Sequence, residues 1–132
     1  MVPVQVHYYA TEGLKQIFET ADIIEKRFPP RRLTVLGVLL TFAENRTLLS
    51  RQVQQQMRDV LSHLVFETVI SRCVKLAEAP SFGEPILRYA PKSRAAAEYR
   101  TLAEEITKNW ALLDEIKALA EEINGDKVPV EK

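Results

Sequence analysis

Cysteine is nearly absent from this chain. Cys73 is the only one, which excludes an internal disulfide and predicts a reducing, cytoplasmic setting. The two histidines, His7 and His63, lie too far from it in sequence to make a metal-ligand spacing. Glycine is also scarce. Gly13, Gly37, Gly83 and Gly125 are isolated, and none precedes a lysine. A loop whose backbone N–H groups cradle phosphates needs clustered glycines ahead of Gly-Lys-Ser/Thr, and the nearest approach, Lys92-Ser93, follows Ala90 and Pro91 instead. No apolar run reaches the roughly 20 residues of a membrane span, and the start MVPVQVHYY lacks the basic and long apolar regions of a secretory signal. These absences predict a soluble chain that touches no membrane and has no catalytic group or metal site.

What is present is enough for one packed domain: 132 residues can bury a core without staples. The net charge is zero but unevenly spread, +4 over residues 1–94 and −4 over residues 95–132. One surface can therefore attract phosphate while the tail repels it.

Hydrophobic periodicity supplies the elements. Residues 2–6 alternate with β-branched bias and read as a strand, with Pro3 near its start. Leu14, Ile17, Phe18, Ala21, Ile24 and Phe28 fall at helical spacing until Pro29-Pro30. Residues 33–42 are a nearly continuous apolar run, expected of a central strand covered on both faces. Ser50 is the expected N-cap of a helix presenting Val53, Met57, Val60, Leu61 and Leu64, with His63 at its end, and residues 65–70 form a third strand. A loop over residues 71–93 leads to a long helix whose stripe runs from Tyr99 through Trp110 to Ile123 and stops at Asn124-Gly125. The alternation predicts an α/β fold, a parallel sheet of about three strands with flanking helices and a long C-terminal helix. The expected boundaries are one α/β domain over 2–124 and a frayed tail over 125–132. The far half of the last helix either folds over its own domain or meets a partner.

VPVQVHYYATEGL, GVLLTFAENRTLLSRQV, VFETVISRCVKLAEAPSFGEPILRYAPKS and AAAEYRTLAEEI, in that order, resemble the C-terminal half of the ParA/Soj family of chromosome and plasmid partition ATPases. The resemblance implies part of a P-loop NTPase-like fold, with ATP and magnesium as family cofactors, DNA coated without sequence preference and a ParB-type partner. The family's loop Ile-Pro-Arg-Asn reads Ile70-Ser71-Arg72-Cys73 here, and its Tyr-Asp-Pro-Lys-Ser reads Tyr89-Ala90-Pro91-Lys92-Ser93; His7 stands where Glu is frequent. Those departures weaken nucleotide binding, and no apolar strand ending in a metal-binding Asp is present.

The expected sites follow. Arg72 and Lys75 match basic positions of the family's loop and, anchored by Val74 and Leu76, are candidate DNA contacts with Lys92 and Arg94; Arg46, Arg51 and Arg58 are weaker ones. The alternative for Arg72 and Lys75 is a solvated turn paired with Glu78. Asn45, Arg46, Ser71 and Cys73 are candidate remnants of a nucleotide's vicinity, against plain loop residues and a buried structural thiol. The implied function is a non-catalytic binding and assembly module in chromosome or plasmid segregation, nucleoid-associated, holding no cofactor by itself. It would form a homo-oligomer through the sheet edge at residues 2–6 or through the last helix. The alternatives are one part of an ATPase whose P-loop half comes from a longer chain or separate subunit, and a folded remnant.

Overall fold

A computed structural model describes residues 1–7, 9–29 and 33–125, with side chains as far as residue 119. In chain order the elements are β1 (Val2–Gln5), α1 (Ala10–Arg27), β2 (Val38–Ala43), α2 (Leu48–Leu61), a 3-10 turn (Ser62–Leu64), β3 (Val65–Ser71), α3 (Val74–Glu78), a second 3-10 turn (Ala79–Phe82), α4 (Ile86–Tyr89) and α5 (Arg94–Gly125). The sheet is parallel throughout, in the order β1-β2-β3. The fold is α/β, as the alternation of periods predicts.

Successive side chains on β2 point to opposite faces, and each face has its own core. Val38 and Leu40 pack with Val4, Val65, Ala10 and Leu14 of α1 and Val53 and Met57 of α2. Leu39 packs on the other face with Phe66, Ile70 and Leu102 of α5. A strand buried on both sides has no polar face to show, which is why this stretch reads as an unbroken apolar run. Gly37 enters that second face closely: a Cβ there would lie 2.8 Å from the Phe66 ring and 3.1 Å from the Leu64 carbonyl oxygen.

Several boundaries differ from the sequence expectation. β2 starts at Val38 rather than at residue 33, because its neighbours begin at Val2 and Val65, both opposite Val38; residues 33–36 have no strand to pair with. Thr47, not Ser50, caps α2. Thr47 is extended and its Oγ1 accepts from Ser50 N at 3.3 Å, while the buried Ser50 hydroxyl accepts from Glu44 N at 3.0 Å. Val60 is 62% exposed instead of facing the core, and Leu64 and His63 lie in the 3-10 turn after α2. Ile17, Ile24 and Phe28 of the α1 stripe are likewise exposed, leaving Leu14 and the half-buried Phe18 to anchor it. The expected loop over 71–93 holds α3, α4 and a 3-10 turn closed by Gly83 at φ +65°. α5 begins at Arg94, where Ser93 Oγ accepts from Ala96 N, five residues before the apolar stripe becomes readable. Of the expected tail, residues 126–132 lie outside the described residues, as do the side chains of Ala120 and Ile123.

α5 holds the outer edge of β3 with two carboxylates. The β2–β3 register slips between Val38 and Leu40, and this irregularity turns two consecutive amides of β3 outward. Glu105 Oε1 accepts from Glu67 N at 2.7 Å and its Oε2 from Thr68 N at 2.9 Å. About two turns earlier, Glu98 accepts from Ser71 N at 2.9 Å and from Ser71 Oγ at 2.7 Å. Burial pushes the Glu105 pKa up, but hydrogen bonds from Thr68 and Glu67 and the nearby Arg58 charge outweigh it and leave the carboxyl below its ordinary range.

Candidate functional site

β2 and β3 leave the sheet in step. Ala43 pairs with Ser71, and Arg72 N donates to Ala43 O at 3.1 Å. The residues just beyond both strand ends therefore stand side by side, at the carboxyl end of a parallel sheet where open α/β folds place their ligands. A cleft of about 530 Å³ lies there, lined by Glu44, Asn45, Arg46, Ser71, Arg72 and Arg94 among others.

Three guanidinium groups reach this cleft from three different elements: Arg46 from the loop before α2, Arg72 from the end of β3 and Arg94 from the first turn of α5. Arg72 Nη1 donates to Glu44 Oε1 at 2.7 Å, and Arg94 Nε to Glu98 Oε1 at 2.8 Å. Among the described residues Arg46 makes no ion pair. Asn45 Oδ1 accepts from Gln54 Nε2 at 3.3 Å, which steadies the same loop from α2. Such an array offers planar, charged N–H donors at the cleft, whose lining also holds the Ser71 hydroxyl donating to Glu98.

The structure joins Asn45, Arg46, Ser71, Arg72 and Arg94 of the expected sites in this one cleft and leaves the others apart from its lining. Lys75 points along α3 to Glu78, 3.8 Å away, and sits 5.8 Å over the Tyr89 ring, the pairing that a solvated turn would have. The Tyr89 hydroxyl donates to the same Glu78 at 2.9 Å; that bond, burial and the carboxylate's charge raise its pKa. Lys92 is exposed in the turn before α5. Val74 is 73% exposed, so it does not anchor the basic turn; Leu76 does, packing into the clusters around Ile70 and Ile86. Cys73 is half-buried against Ile86, Ala95 and Ala96, a packing role. Arg51 is exposed, whereas Arg58 reaches back to donate to Glu67 O at 3.3 Å. His7 Nδ1 accepts from Tyr9 N at 3.3 Å on the surface. Among the described residues, no three His, Cys, Asp or Glu side chains cluster as a metal site would require, and no helix is long and apolar enough to cross a membrane.

Glu44 was not legible as part of the site. It lies 28 positions from Arg72, and only the strand register brings them together. The available signal was weak: an acidic residue in the polar break after the central strand.

No family model matches the chain. Curated relatives do. The chain is 48% identical over 106 residues to the chromosome-partitioning ATPase Soj of Thermus thermophilus, covering 80% of this chain and 42% of that protein. It is 43% identical over 109 residues to the sporulation initiation inhibitor protein Soj of Bacillus subtilis, covering 83% and 43%. With the chromosome partitioning protein ParA of Myxococcus xanthus it shares 38% over 108 residues, covering 82% and 38%. The chain thus spans about two fifths of the length of these relatives. Across that matched four fifths of its length, the chain is similar to ParA/Soj chromosome-partitioning proteins.

Proposed function

We propose that this chain is a non-catalytic binding and assembly module of a partition protein, holding the DNA backbone without sequence preference through Arg46, Arg72 and Arg94. The observation that supports this best is the convergence of three arginines from separate elements on one cleft at the ends of parallel strands. Backbone contact asks only for charge and position, which this array supplies without any base-reading element. Lys75 and Lys92 enter the same reading as peripheral contacts. The test is fluorescence anisotropy of random-sequence duplex DNA across a salt series, with wild type and Arg46→Glu/Arg72→Glu. The expected result is a Kd of about 1–100 µM that weakens steeply with salt and is lost in the double variant. Absence of duplex binding even at low salt would sink this function.

Assembly belongs to the same proposal. Leu112, Ile116 and Leu119 of α5 are each more than half exposed and fall on one helical face, an apolar surface that a second copy can cover. The β1 edge is a poorer template, because Pro3 has no N–H to offer a further strand. Light scattering at tens of micromolar should report a dimer or larger species that Leu112→Lys/Ile116→Lys reduces to monomer; a monodisperse wild-type monomer would remove the oligomer. A ParB-type partner and a nucleoid-bound, cytoplasmic location complete the reading.

A second reading is favoured by the span of the match. One relative is a partitioning ATPase, and the chain corresponds to only 42% of it, so ATP and magnesium would enter with a P-loop half from a longer chain or separate subunit. Hydrolysis should be absent with this chain alone and appear when such a half is added in trans. Hydrolysis by the chain alone would overturn its non-catalytic role.

A further inference from the structure

Arg72 is already occupied. Its guanidinium donates to Glu44 Oε1 at 2.7 Å in a pair whose side chains are 71% and 40% exposed. Glu44 is held in place by its own backbone: its N–H donates to Ser50 Oγ at 3.0 Å, and its carbonyl accepts from Thr47 N at 3.0 Å and Thr47 Oγ1 at 3.1 Å. The cap of α2 therefore fixes the root of this carboxylate beside the end of β3. A carboxylate and a phosphate use the same guanidinium N–H donors, so one excludes the other from a given edge of the fork.

The two acid–arginine pairs of the cleft differ in what else they hold. Glu98 accepts from Ser71 N and Ser71 Oγ as well as from Arg94; releasing it would strip β3 of an edge acceptor. Among the described residues the Glu44 carboxylate has no partner other than Arg72. It can let go without unfolding anything.

We infer that Glu44 is an intramolecular counter-ion that competes with DNA phosphate for Arg72, an autoinhibitory contact at the cleft between β2 and β3. This rests on the proposed duplex binding through Arg72. Phosphate reaches the Nη1 edge of Arg72 only by displacing Glu44, so the carboxylate lowers duplex affinity and weakens the salt dependence when it stays in place.

The test uses the full chain, a labelled random-sequence duplex, and four backgrounds: wild type, Glu44→Gln, Arg72→Gln and the double variant. Glu12→Gln on α1, exposed and outside the cleft lining, makes the same charge change and serves as control. Glu44→Gln is expected to tighten binding by about two- to fivefold, the range of an exposed ion pair, and to steepen the log–log salt slope by about 0.9. The gain should vanish in the Arg72→Gln background. Glu44→Asp, which keeps the charge but shortens the arm, should give part of it. Equal tightening by Glu12→Gln, or a gain that persists without Arg72, overturns the counter-ion while leaving duplex binding intact. Wild-type binding that Arg72→Gln does not weaken removes Arg72 from the site and overturns both. A wild type that stays silent even at low salt overturns the inference together with the proposed function.

Discussion

The two edges of the sheet are closed by different means. On β3 the exposed amides are real donors, and α5 satisfies them with Glu105 and Glu98. On β1 the edge is blunted by what is missing. Val2 N and Val6 N donate to Gly37 O and Thr41 O, so by the two-residue alternation of a parallel ladder Val2, Val4 and Val6 face β2 while Pro3 and Gln5 face outward. Pro3 has no N–H to offer, and the Gln5 carbonyl is taken by His7 N at 3.0 Å. Proline on an edge strand is a known way to refuse a further strand. One edge is thus guarded by tertiary contact and can be opened by losing it; the other is guarded by covalent structure and cannot.

The largest expected effect comes from opening the guarded edge. Glu98→Ala with Glu105→Ala leaves β3 amides without acceptors and should cost about 1–3 kcal/mol per carboxylate in denaturant unfolding, with concentration-dependent aggregation. Stability unchanged within error would mean that water serves those amides as well as α5 does. Gly37→Ala probes the packing beneath the same strand. The new methyl would press on the Phe66 ring, which is 3% exposed and closely confined, for about 1–3 kcal/mol; restoration by Phe66→Leu in the same background would identify the clash.

Acid sharpens the comparison further. The folded Glu105 pKa lies below its ordinary value, so its stabilisation is fully present above the unfolded value of about 4.3 and is lost as pH falls through the lowered folded value. Wild type should therefore lose more stability below pH ~4 than Glu105→Gln does, by urea midpoints; parallel curves would show that Glu105 is not the titrating latch. The smallest effect on stability belongs to Pro3→Val, within about 0.5 kcal/mol, because β1 keeps all its bonds to β2. Its readout is association: restoring one outward N–H should raise self-association by light scattering, and no change would show that Pro3 is not what closes this edge.

Much of this architecture was legible. The continuous run over 33–42 announced a strand buried on two faces, though its start was set five residues too early, and the three apolar segments separated by helical periods announced the parallel order. The errors fall where pattern and partner disagree. Residues 33–36 are as apolar as a strand but have no strand to pair with, and Val60 repeats at helical spacing yet faces water. α5 begins five residues before its stripe does, because Ser93 caps it and Ala95 and Ala96 pack without looking strongly apolar. In the candidate site, Arg72 and Arg94 could be named from the chain, but Lys75 could not be set apart from them; the pairings of Lys75 with Glu78 and of Arg94 with Glu98 are local, while that of Arg72 with Glu44 depends on where the strands end.

The sequence by itself determined the alternation of elements, the double burial of the central strand, and the lack of a phosphate cradle, because each is a property of local period and residue type. It also placed a proline where β1 meets the outside. Only the tertiary structure decided that the two strand ends leave together, and hence that Arg46, Arg72 and Arg94 share one cleft with Glu44 as counter-ion. That outcome depends on the register Ala43 to Ser71. Register is a matter of pairing between segments far apart in the chain, and no period within either strand encodes it.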